Sequence, residues 1–326
     1  MENRLYTVLS CLWRNTVLKY YRGYLKNKEL KYWEERIKHF GWKNRNKTFY
    51  VIRRRDAYCG IFSIYMTTLA RIDEALKNGF IPVVDMQNSF NIYLNKKKIG
   101  KENAWEYYFE QPMGYTLSDI NKSKNVIIGS GAVPQMFPYL DVSFLLGKTG
   151  DFEYWKALAK KYLRINDKVK EYAEKERNRL FSKDEKILGV KCRGTDYIKE
   201  CPKNHPIQPG ILEIINESER IFKEYNCNKI FLVTEDREYY EAFQKKFGEV
   251  LVIYEDDFVD YKEGSVGKAL YEQSKNMYEE GLKYLTTTLL LSGCNCLCAG
   301  CVSATVGALL MTEGYEYLYL FDLGIY

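Results

Sequence analysis

Short β-branched and aromatic runs alternate with longer amphipathic stretches through most of the chain. The runs "TFYVIRRR" (48–55), "FIPVVDM" (80–86) and "NVIIGSG" (125–131) predict strands in the first half. Between the first two, a helix is predicted from Ile64 to Lys77, stopped by Asn78-Gly79. Residues 3–47 read as basic and helical, with Leu5, Leu9, Leu12, Trp13, Val17 and Tyr20 at helical spacing. Residues 87–150 are less regular and hold the aromatic segment "NAWEYYFEQPMGYTL" (103–117); a charged helix follows over roughly 151–181. The second half alternates cleanly. Strands are predicted at 186–194, 229–236, 250–256, 294–300 and 317–324, with helices at 209–225, 237–247, 271–292 and 303–312 between them. That alternation predicts an α/β protein whose parallel sheet is covered on both faces, so ligands bind beyond the carboxyl ends of its strands.

A length of 326 residues suits two domains better than one core. We expect a basic helical N-terminal segment (1–48), an acceptor-side domain (49–183) and a C-terminal nucleotide-binding domain (184–326). Apolar residues make up 46% and charged residues 28%, which excludes a disordered or fibrous chain. The 29 Tyr residues suit a carbohydrate- or nucleotide-handling surface, although a Tyr-rich core is the simpler account of them. Charge is uneven: residues 1–56 hold 15 Lys/Arg against 5 Asp/Glu, and the remainder is mildly acidic. Such a segment fits an anionic membrane surface or another phosphate-rich partner. Nine Cys in a chain with no opening signal peptide suggest reduced thiols and a cytoplasmic protein, peripheral to the membrane at most. The uncharged stretch between Lys283 and Glu313 is interrupted by Thr, Ser, Asn and Gly, so it reads as buried helix, strand and helix rather than a membrane span.

Three predicted strand ends carry polar residues: Lys191, Arg193, Thr195 and Asp196; Thr234, Glu235 and Asp236; and Gly300, Ser303 and Thr305. A doubly wound sheet would gather them on one rim. There Arg193 offers a planar fork and the helix starting near Ser303 offers free N–H groups, together a pocket for a nucleotide diphosphate. Gly60 stands where the first strand hands over to a helix and would let backbone approach a ligand. No "GxxxxGK[ST]" occurs, which argues against a P-loop NTPase.

These segments resemble a family. "GVKCRGTDY" resembles the "GVHxRRxD" signature of GDP-fucose-dependent fucosyltransferases, above all the α1,6 and nodulation group. "HPI" (205–207), "IFLVTEDREYYEAFQKKF" and "LLLSGCNCLCAGCVSATVG" resemble the segments that follow in that group, and "YCGIFS" is a fainter echo of its N-terminal loop. The likeness covers about 186–312 well and 49–86 loosely. It implies a GT-B-like enzyme with two Rossmann-type domains, an inverting and metal-independent mechanism, and GDP-fucose as donor substrate rather than a bound cofactor. The acceptor it implies is a glycan or lipid-linked oligosaccharide, in surface polysaccharide synthesis, with no nucleic-acid partner. Arg193, Asp196 and Glu200 are then expected at the reacting bond, with Glu200 as the base. Gly60, Lys191, Arg193, Asp236, Ser303, Ala304 and Thr305 are expected around the GDP-sugar, and His205 on the site wall.

The chain departs from the family pattern at several points. Lys191 replaces the motif His, Gly194 stands where a second Arg is usual, and Thr286–Thr288 stand where an acidic residue is usual. Strict spacing for the base lands on Cys201, with Glu200 beside it. Those departures keep open an alternative, a non-catalytic nucleotide-sugar or glycan-binding protein on the same scaffold. Cys294, Cys296, Cys298 and Cys301 read as small apolar residues of a buried strand, 294, 296 and 298 on one face, rather than as a metal site.

Overall fold

The computed structural model describes residues 24–254, 258–259 and 266–326. A helix over 24–33 (α1) leads into a short edge strand, β1 (Arg36–Lys38), and a long strand, β2 (Lys43–Ile52). Then come α2 (Ile61–Lys77), β3 (Ile81–Val84), the single-turn helix α3 (Leu117–Ile120) and β4 (Ser123–Ile128). Their sheet has the order β1-β4-β2-β3; β2 runs parallel to both β3 and β4, and β1 runs antiparallel to β4. Helical structure in the basic N-terminal region therefore ends at residue 33, not 47, and its part before residue 24 lies outside the described residues. Between 36 and 47 only Ile37, Phe40 and Trp42 are large and apolar. They do not make a helical stripe, and pairing Ile37 with Ile127 completes the sheet edge instead.

Short helix α4 (Val142–Leu145) precedes α5 (Phe152–Tyr162) and α6 (Asp167–Leu180). One continuous charged helix is expected here, but Asn166 interrupts it: its side chain accepts from the Val169 N–H at 3.1 Å and caps α6.

The second half follows as β5 (Ile187–Lys191), α7 (Thr195–Lys199), α8 (Ile211–Glu224), β6 (Lys229–Val233), α9 (Arg237–Phe247) and β7 (Leu251–Val252). It continues with α10 (Val266–Gln273), α11 (Met277–Ser292), β8 (Cys296–Ala299), α12 (Ser303–Met311) and β9 (Tyr317–Leu320). All five strands are parallel in the order β7-β6-β5-β8-β9, a doubly wound sheet whose order reverses between β5 and β8. The strands are shorter than the apolar runs suggest because the polar residues at their ends have already left the sheet.

One apolar cluster runs through both halves, joining Phe62, Tyr65 and Leu69 of α2 to Leu285 and Leu291 of α11 and Val306 and Leu309 of α12. This is where the uncharged stretch lies. α12 is buried around almost its whole circumference, as a helix apolar on every side must be, and no helix among the described residues is long and apolar enough to cross a membrane. The approach of α12 to α2 depends on Gly307: a Cβ there would lie 2.4 Å from the ring of Phe62, itself fully buried. Gly307→Val is therefore expected to cost about 1–3 kcal/mol of stability through overpacking, read as a lower urea midpoint. An unchanged midpoint would show that α2 and α12 are not in close contact in solution.

Candidate active site

A cleft of about 480 Å³ opens between the two halves. The carboxyl ends of both sheets feed it. From the first half it is lined by Arg54, Asp56, Tyr58 and Gly60, beyond β2, and from the second by Lys191 and Arg193 (β5), Thr234 and Glu235 (β6), and Val302 and Ser303 (β8). Register brings the second set together. Lys191 pairs with Val233 on one side and Ala299 on the other, so three connections leave the sheet at one level.

The densest charge is on β5 and β6. Lys191 is 2% exposed; its Nζ donates to the Cys192 carbonyl at 2.9 Å and to Glu235 Oε2 at 3.2 Å. Arg193 Nε lies 3.6 Å from the other oxygen of Glu235, and its guanidinium stacks 4.9 Å from the Tyr197 ring centre. Burial alone would raise the Glu235 carboxyl, but Lys191 and Arg193 outweigh it and hold the group below the ordinary carboxylate range. The triple carries two cations and one anion, a net positive charge on the rim of a cleft.

Gly194 is required where it stands. A Cβ there would fall 2.0 Å from Asp236 Oδ2, so the carboxyl of Asp236 occupies the room a larger residue would need. Asp236 also caps α9, its Oδ1 accepting from the Glu238 N–H at 2.9 Å, and it is not among the residues lining the cleft.

Two helices of different halves begin at the cleft, α2 after Gly60 and α12 after Val302, and neither start is capped by a side chain. A Cβ at Gly60 would meet nothing within 4 Å. At α12 only Ser303 of the three expected residues faces the cleft. Ala304 is fully buried, and the Thr305 hydroxyl is turned to the Gly300 carbonyl at 2.7 Å, bracing the turn that opens the helix. His205 lines the cleft with its ring edge-on to Tyr197, 5.5 Å between centres, and its segment is held by backbone pairing of Ile207 with Gly324 and of Tyr326 with His205.

Glu200 is exposed just beyond α7 and does not line the cleft. The side chain of Asp196 lies outside what is described. Among the described residues the carboxylates that line the cleft are Asp56, Glu235 and Glu280. Asp56 Oδ1 accepts from the Tyr58 N–H at 3.1 Å, and Glu280 Oε1 accepts from the Ser274 hydroxyl at 2.8 Å. Sequence reasoning missed Arg54, Asp56, Glu280, Lys283 and Tyr284, all on the cleft wall. For Arg54 a signal existed: three successive Arg after a strand cannot all face the same way. Arg53 is 6% exposed and donates to the Gly129 and Tyr32 carbonyls, Arg55 is exposed beside Glu29 at 3.2 Å, and Arg54 alone faces the cleft. Of the threonines that stand for an acidic residue, Thr287 lines the cleft, with its hydroxyl donated to the Tyr284 carbonyl at 3.0 Å.

The four clustered cysteines divide between cores. Cys296 and Cys298 share the face of β8 that packs with Val190 and Ile214, whereas Cys294 precedes the strand and, with Cys301, joins the large cluster. The expected single face thus holds only two of them. Burial pushes the Cys298 and Cys301 thiols up to about 12, which keeps them protonated and poor metal ligands. Among the described residues no group of three or more His, Cys, Asp or Glu is placed to hold a metal.

No protein-family model matches the chain, and no curated protein matches it in sequence. Solved structures do. A NodZ α1,6-fucosyltransferase crystal soaked with GDP-fucose aligns over 85% of this chain and 96% of its own, with a TM-score of 0.50 and 16% identity. The selenomethionine form of fucosyltransferase NodZ from Bradyrhizobium gives 0.49 over 85% and 96%, at 16% identity. The apo form of POFUT1 gives 0.44 over 85% and 98%, at 12% identity. The chain has a mixed α/β, GT-B-like fold similar to that of the NodZ α1,6-fucosyltransferase.

Proposed function

We propose that this protein is a glycosyltransferase that moves fucose from GDP-fucose to a hydroxyl of a glycan acceptor, inverting the anomeric centre without a metal ion. The observation that carries the reading is the Lys191–Glu235–Arg193 triple, set beside the α12 N-terminus at the switch point of a doubly wound sheet. In the reaction the acceptor oxygen attacks the anomeric carbon as the bond to the diphosphate oxygen breaks, and the bonding pair leaves with GDP. Negative charge grows on the β-phosphate. A guanidinium held in advance by Glu235 and Tyr197 meets that charge without reorganising, which is what lowers the barrier. Lys191 is spent on Glu235 and the Cys192 carbonyl, so its part is to set the electrostatics and hold the β6 end in place.

The acceptor proton goes to a carboxylate. Glu235 is committed to two cations, which leaves Asp56 and Glu280 as the bases on the cleft wall among the described residues. Glu200, the base suggested by resemblance, would serve only if its segment folded over the cleft. Tyr58 on the cleft wall, with Tyr271 edge-on to it at 5.8 Å, offers an apolar ring of the kind that packs against sugar rings.

For a lipid-linked acceptor and an anionic membrane surface, support comes from the β1 edge. Ile37, Phe40 and Trp42 are 69%, 46% and 71% exposed there. The cations of Arg45 and Lys124 lie 5.0 and 5.8 Å from the Trp42 ring centre. Exposed aromatics among cations suit an interface rich in anionic headgroups. A role in surface polysaccharide synthesis follows from such an acceptor.

Two outcomes are expected. Calorimetry should detect GDP and GDP-fucose binding that EDTA leaves unchanged, and Arg193→Ala should lower GDP affinity at least about tenfold and abolish transfer. No GDP binding by the intact protein rejects the reading, and binding without transfer to any of a broad set of glycans favours a binding protein. Separately, the protein should sediment with phosphatidylglycerol vesicles and not with phosphatidylcholine vesicles, and Trp42→Ala should weaken that association several-fold. Equal partitioning into both rejects the membrane reading alone.

A further inference from the structure

Arg54 is a cation for which the fold has little use. Its Nε and Nη1 are buried with no hydrogen-bond partner, and its Nη2 donates to Cys59 Sγ at 3.1 Å. No ion pair engages it among the described residues. A guanidinium is costly to bury without acceptors and cannot shed its charge, so an unpaired one on a cleft wall implies an anion that arrives later.

Its place in the fold indicates which anion. β2 is flanked by β3 and β4, both parallel to it, as β5 is flanked by β6 and β8. Each is the central strand at which the order of its sheet reverses. Arg54 stands two residues beyond the end of β2, and Arg193 stands two residues beyond the end of β5. Both line the same cleft, one from each half. The start of α2, with Gly60 leaving open space before it, lies on the Arg54 side as the start of α12 lies on the Arg193 side.

Charge counting gives the need. The Lys191–Glu235–Arg193 triple supplies a net of one positive charge, and elsewhere on the wall Glu280 offsets Lys283 while Asp56 adds a negative charge. The diphosphate of a nucleotide-sugar carries two negative charges, and a third develops as the sugar departs. A further fixed cation beside the phosphates brings the site closer to balance.

We propose that Arg54 binds the donor diphosphate from the N-terminal half, so that the leaving group is gripped by Arg54 and Arg193 across the cleft. This rests on the reading that the cleft holds a GDP-sugar. Arg54 needs a fork rather than a point charge, because Nη2 makes a parallel pair of donors with either Nε or Nη1, and turning the head from Cys59 toward the cleft presents such a pair to a phosphate.

The test is calorimetric titration of the full chain with GDP and with guanosine, for wild type, Arg54→Gln and Arg54→Lys. Arg54→Gln should lose roughly tenfold to a hundredfold in GDP affinity and nothing in guanosine affinity, with Arg54→Lys between the two. The ligand-free thermal midpoint of Arg54→Gln should match or exceed wild type, since an unpaired buried charge has been removed. A lower midpoint with unchanged GDP affinity assigns Arg54 a structural role and overturns the proposal. Wild type that binds GDP and Arg54→Gln that binds it equally well overturns this assignment and leaves the cleft reading intact. Wild type without affinity for GDP overturns both.

Discussion

The packing of α2 against α12 is the constraint on which the rest depends. Each helix begins at the carboxyl end of an inner strand, α2 after β2 and α12 after β8, so the closeness of the helices sets the distance between the two strand rims. Gly307 allows the Phe62 ring to seat on the α12 backbone, and the apolar cluster then runs without a break from one half to the other. Two sheets joined by a polar interface would slide or hinge more freely. Here the buried helices hold the rims opposite each other, and the space that remains is the cleft.

Electrostatics act within that frame. A buried lysine would be unfavourable alone, yet Lys191 reaches both a carbonyl and the Glu235 carboxylate, and Glu235 in turn orients Arg193. Removing one partner would leave the others uncompensated, so the triple acts as a unit. Its excess of one positive charge, together with two uncapped helix starts and the two unpartnered donors of Arg54, makes an anion the natural occupant. Gly194 shows how tightly that arrangement is built, since the Asp236 carboxyl fills the room a second arginine side chain would require.

Much of this was legible in the chain. The strand and helix alternation after residue 186 was read in its right order, because continuous apolar runs bounded by Gly and polar clusters are what fully buried parallel strands look like. Lys191, Arg193, Ser303 and His205 reach the cleft from the segments that resemble the fucosyltransferase group. The N-terminal region misled. Between residues 34 and 47 basic residues hide a strand whose pattern depends on pairing with β4, some ninety positions away. Thr305 and Asp236 look like ligand groups by type and place, yet their side chains are occupied by Gly300 and by the α9 cap.

By itself the sequence determined what is local: which runs form strands, where helices stop, and which strand ends carry charge. Period and turn chemistry act over a few residues, so they can be read without the fold. Only the tertiary structure decided which of those charges meet. Glu235 closes the triple because β6 lies beside β5, Arg54 and Glu280 join the cleft wall because two halves pack through α2, α11 and α12, and Glu200 stays outside because α7 ends on the surface. Those outcomes depend on contacts between residues far apart in the chain, and no local pattern encodes the direction in which a side chain faces across a cleft.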